Sequence, residues 1–69
     1  MSDHVYKTVE VVGSSSGGIQ DAIENAIGKA SKSLRNMGWF EVEGIRGMVD
    51  GDHVGHYQVT IKIGFRLED

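Results

Sequence analysis

No cysteine and no proline occur among the 69 residues. The first absence excludes a disulfide scaffold and any Cys-based zinc site. The second excludes Pro-rich linkers, so the chain reads as one domain spanning residues 1–69. Tryptophan occurs once. No apolar run approaches the ~20 residues that a membrane span needs. Positive charge is scarce, with seven Lys and Arg against ten Asp and Glu, a formal net charge of −3. Phosphate neutralisation requires a basic stripe, so nucleic acid is not the expected partner. The polar start Met-Ser-Asp-His leads straight into a strand pattern; no signal peptide is expected, and a soluble cytoplasmic protein is. Domains under roughly 70–80 residues seldom draw more than about 3–5 kcal/mol from one core without disulfides, metal or oligomerisation. Self-association is the expected source of the missing stability.

What is present is strongly patterned. V-Y-K-T-V-E-V-V at 5–12 is rich in β-branched and aromatic types and stops at Gly13, which predicts a strand. G-S-S-S-G-G follows as a turn, with Gly18 and Ser16 both open as helix N-cap. Ile19, Ala22, Ile23, Ala26, Ile27, Ala30, Leu34 and Met37 recur at spacings of three and four, predicting one amphipathic helix that Gly38 terminates. A second strand is predicted from Trp39 to Val49, a turn at Asp50-Gly51-Asp52, and a third strand from Val54 to Leu67. The third alternates cleanly: Tyr57, Val59, Ile61, Ile63, Phe65 and Leu67 take one face, and His56, Gln58, Thr60, Lys62 and Arg66 the other. So long and regular a strand belongs in the centre of the sheet. The expected fold is α+β, ordered β1-α-β2-β3, a three-stranded antiparallel sheet with β3 central wrapped around one helix.

The second strand raises the functional question. Phe40 and Val42 share a face, while Trp39, the largest apolar ring, falls opposite with Glu41 and Glu43. Ile45 is out of phase with Phe40 and Val42. A bulge at Gly44 returns it to the helix side and sends Arg46 to join Trp39. Without the bulge the Arg46 guanidinium would lie against the helix, an expensive burial. The face away from the helix then carries Trp39, Arg46 and Gln58. An indole surface, a planar amide and a cationic fork suit a flat heteroaromatic ligand with imide-like edges and a phosphate. The same set equally describes a subunit interface with Trp39 as filler, and a ligand shared between subunits satisfies both readings.

Other motifs carry less. G-S-S-S-G-G lacks the Gly-Lys-Ser/Thr ending of a phosphate loop and is read as a capping turn. His53 and His56, flanked by Asp50 and Asp52, are read as solvated turn histidines, and no metal site is expected. His56 shares the face of Gln58 and can border a ligand there. Glu41 and Glu43 are read as partners for Arg or Lys across an interface rather than an acid–base pair. No nucleophile–base–orienter set can be assembled, so no catalytic residue and no enzyme activity are expected.

Several blocks in order resemble one family, the dodecins, small flavin-binding proteins that assemble into hollow dodecamers. Y-K-T-V-E-V-V-G-S-S at 6–15 is similar to the family's first strand and turn, and D-A-I at 21–23 lies in a similar Ala-rich helix. W-F-E-V at 39–42 resembles its most distinctive block, followed by I-R-G at 45–47, Y-Q-V at 57–59 and G-F-R-L-E at 64–68. S-S-S-G-G departs from the more polar, often proline-containing segment of commoner members. The resemblance implies that Trp39 stacks on an isoalloxazine ring, Gln58 hydrogen-bonds its pyrimidine edge and Arg46 contacts the bound flavin. It further implies flavin pairs sandwiched between tryptophans at a twofold axis, with FMN favoured over riboflavin or FAD. Coenzyme A near threefold contacts is a weaker implication, because no residue marks that site. Flavin storage, buffering and quenching of photoexcited flavin would be the role. The alternatives are a purely structural homo-oligomeric module and a small flavin-dependent redox enzyme.

Overall fold

The computed structural model describes residues 3–68. Strand β1 (Tyr6–Ser15) is followed by helix α1 (Ile19–Ala30), strand β2 (Met37–Asp50) and strand β3 (His53–Arg66). The strands form one antiparallel sheet in the order β1-β3-β2, so β3 is central, as its unbroken alternation requires. One face of β3 supplies the core. Val59, Ile61 and Ile63 are fully buried against Ala22 and Ala26 of α1. Burial of each such aliphatic side chain contributes roughly 1.5–3 kcal/mol.

Small residues let the helix approach the sheet. Gly13 of β1 lies under α1, where a Cβ would run into the Ala22 carbonyl oxygen and stand 2.8 Å from the Ala26 Cβ. β1 runs three residues beyond its predicted end, because Gly13, Ser14 and Ser15 pair with Val59, Gln58 and Tyr57 of the long central strand. The N-cap is Gly18, at φ 136°, a conformation that only glycine adopts readily. The hydroxyl of Ser15 accepts a 2.8 Å hydrogen bond from Gly17 N–H and donates one of 2.8 Å to Asp21, which steadies the turn into the helix.

The helix ends at Ala30, well short of the predicted stop at Gly38. Ser31 and Ser33 donate their hydroxyls to the carbonyls of Gly28 and Ala30, and Lys32 and Ser33 N–H bond three residues back rather than four. The tail therefore tightens and the helix is lost. Asn36, at φ 63°, completes the change of direction. Leu34 and Met37 still pack on the core, which is why their spacing mimicked another helical turn. Gly38 proves to be the extra residue of a bulge in β2: Met37 pairs with Phe65, yet Trp39 pairs with the next residue back, Gly64. That bulge sets Met37 against the core and Trp39 on the opposite face.

A second bulge occurs where the phase of Ile45 predicts it. Val42 pairs with Ile61 and Gly44 with Thr60, leaving Glu43 as the extra residue. Ile45 then faces the same way as Val59, and Arg46 the same way as Gln58.

The helix packs on β1 and β3 and leaves the same face of β2 open. Phe40 and Val42 are each 45% exposed and Ile45 53%. Together with Ile19, Ile23 and Ile27 of the helix, Phe40 lines an apolar groove. The molecule is elongated, 56 × 20 × 13 Å, with a radius of gyration of 14.5 Å. A compact chain of this length has about 11 Å.

Candidate functional site

On the face of the sheet away from α1, strand register fixes which side chains are neighbours. Along β2 and β3 the outward pairs run Trp39 with Gly64, Glu41 with Lys62, Gly44 with Thr60, Arg46 with Gln58 and Met48 with His56. β1 adds Tyr6 beside Arg66, Thr8 beside Gly64 and Ser14 beside Gln58. The face is mixed rather than hydrophobic: Trp39 and Tyr6 are its aromatic rings, and Val12, paired with Thr60, adds an exposed aliphatic side chain.

Trp39 stays 41% exposed despite lying across the sheet. Tyr6 meets the indole at a centroid distance of 5.2 Å and an interplanar angle of 65°, an edge-on aromatic contact. Directly opposite Trp39, Gly64 offers no side chain to block it. An indole left open in this way can act as a stacking platform for a planar ring.

Arg46 and Gln58 are brought together as a cross-strand pair, with Cβ atoms of such pairs about 4.5–5.5 Å apart. Arg46 is exposed and Gln58 half-buried, and both look outward. His56 follows on the same face, also half-buried. Trp39 shares this face but not this neighbourhood. Its partner Gly64 lies six residues along β3 from Gln58, which at about 3.3 Å per residue is roughly 20 Å. No single fused-ring ligand bridges that distance within one chain. A flat ring touching both parts would have to lie between copies.

Of the two carboxylates between the ends, Glu43 is used locally. Glu43, displaced by its bulge, places Oε1 3.8 Å from Lys62 Nζ within the same chain, and both side chains are about 40% exposed. At the β2–β3 turn, His53 Nδ1 lies 3.2 Å from Asp52 Oδ1, and its Nε2 lies 3.9 Å from Asp50. These groups are exposed, and among the described residues no three His, Asp or Glu side chains converge on a metal-sized site. Two features of the face escape sequence reading: the Tyr6–Trp39 contact and the place of Gly64 beneath it. The alternation of β1 and β3 marks both residues as outward, but their meeting depends on register across three strands.

Comparison with known proteins bears on the family and the fold. The dodecin family model matches residues 5–68. A curated dodecin from Thermus thermophilus is 49% identical over 65 residues, 94% of each chain. Among solved structures, dodecin from Streptomyces davaonensis superposes with a TM-score of 0.94 at 44% identity, covering 99% of this chain and all of that one. Dodecin from Streptomyces coelicolor gives 0.94 at 48% identity, covering 100% and 99%. The match runs through the helix, the irregular pairing of β2 and the long central strand. By sequence and by fold, the chain belongs to the dodecin family.

Proposed function

We propose that this protein is a non-enzymatic binder and buffer of flavin, with FMN as its ligand, and that it works as a homododecamer. One observation supports this above the others: a half-exposed indole, Trp39, lies with one π face open on the surface that also presents the Arg46–Gln58 pair. The residues fit the group. Trp39 would stack on the isoalloxazine, Gln58 would supply an amide donor and acceptor to its imide edge, and Arg46 would meet an anionic end. Bound flavin would bring a photoexcitable ring, which a stacked indole quenches by electron donation.

The separation of roughly 20 Å between the two halves of the site supports a ring shared between copies. The apolar strip left open on β2 and the elongated shape favour assembly as well. Coenzyme A as a second guest rests on family membership alone, and equilibrium dialysis is its test.

Titration with FMN is the direct experiment. Wild-type protein is expected to quench flavin emission strongly and to behave as a large particle by light scattering; Trp39→Ala is expected to assemble but to lose most of the quenching. Bright flavin emission at saturating wild-type protein would reject the proposal in favour of a structural module. Turnover of NAD(P)H with an electron acceptor would favour a redox enzyme, and none is expected.

A further inference from the structure

Gly64 is buried although it lies on the open face of the sheet. The cover is the indole. A Cβ built at Gly64 would meet Cζ2, Cε2 and Cη2 of Trp39 before any other atoms. The three lie at nearly equal range, which a ring approaching edge-on would not give: the six-membered ring lies flat on the β3 backbone. The indole thus leaves β2, crosses β3 at the one position without a side chain, and ends against Tyr6 of β1.

We propose that Gly64 and Tyr6 are positioning residues for the ligand site. Gly64 is the seat that lays the Trp39 indole parallel to the sheet, and Tyr6 is the stop that fixes its rotation. This rests on the reading of Trp39 as a stacking surface. A ring held down on one face presents the whole of its other face at a fixed height, so little side-chain freedom is lost when a planar guest arrives. With any side chain at position 64 the indole must lift or swing aside, and it then presents an edge to the guest. The Tyr6 ring supplies the contact and its hydroxyl does not, because the geometry is that of an edge-on ring pair.

The test uses the full-length assembled protein in two arms. Without ligand, near-UV circular dichroism and fluorescence anisotropy follow Trp39, the only tryptophan. With FMN, fluorescence titration gives Kd. Gly64→Ala is expected to abolish the tryptophan dichroic bands and raise the FMN Kd roughly ten- to hundredfold, the range spanned by loss of one aromatic stack, with particle size unchanged. Tyr6→Ser is expected to weaken both signals and raise Kd about three- to tenfold, whereas Tyr6→Phe restores them. Gly64→Ala that keeps wild-type dichroism and Kd overturns the seat, and Tyr6→Phe that loses as much as Tyr6→Ser overturns the stop. Should Gly64→Ala not fold, the ligand-free wild type decides the seat, which Trp39 anisotropy of a freely rotating ring would overturn, and the Tyr6 pair, on an exposed residue, decides the stop. Wild-type protein that ignores FMN sinks the flavin reading, while the ligand-free arm still decides the placement of the ring.

Discussion

Replacing Gly13 by alanine tests how the helix is held on the sheet. The new Cβ would stand 2.8 Å from the Ala26 Cβ, against ordinary contacts of 3.4–4 Å, a deficit of at least 0.6 Å (3.4 − 2.8), and the Ala22 carbonyl oxygen is closer still. That oxygen belongs to helix backbone and cannot turn away as a flexible side chain would. Relief must come from lifting α1 bodily, and Ala22 and Ala26, 0% and 3% exposed, lose their contact with Val59 and Ile61. Overpacking of this kind costs about 1–3 kcal/mol, and contact with two backbone-anchored groups places Gly13→Ala near the upper end. For a chain of this size each kcal/mol moves Tm by roughly 4–8 °C, so a fall of about 10–25 °C is expected. The assay is far-UV circular dichroism on heating, at matched protomer concentration because assembly raises apparent stability. A variant that melts with the wild type would refute the close helix–sheet approach and the small-residue packing derived from it.

Gly28→Ala provides the contrast: a Cβ there meets nothing within 4 Å on the exposed side of α1, so the same substitution should stabilise by about 0.8–1 kcal/mol and raise Tm. Gly18→Ala, at φ 136°, should destabilise by about 1–3 kcal/mol and lower helicity by dichroism even though nothing surrounds the new methyl group. Lys62→Gln should change stability by less than about 1 kcal/mol, since its 3.8 Å contact to Glu43 is partly exposed and screened; a larger loss in chemical denaturation, insensitive to salt, would contradict this.

Alternation in β3 and the three-and-four spacing of α1 carry fold class, element order and the central strand, because burial of one face imposes those periods directly. The Glu43–Gly44 bulge was legible for the same reason: the apolar phase of Ile45 conflicts with that of Phe40 and Val42, and an inserted residue resolves it. The outward direction of Trp39, Arg46 and Gln58 follows from those phases. The end of the helix did not, since Leu34 and Met37 continue the helical spacing while packing from a turn and a strand, and only the serine hydroxyls and Asn36 break the backbone pattern. Tertiary structure alone decided that Gly38 is a bulge, that Trp39 lies flat on Gly64 against Tyr6, and that Arg46 and Gln58 stand roughly 20 Å away along the strand. Periodicity reports which face a side chain takes. Position along that face comes from pairing register, which is set by contacts between segments distant in sequence.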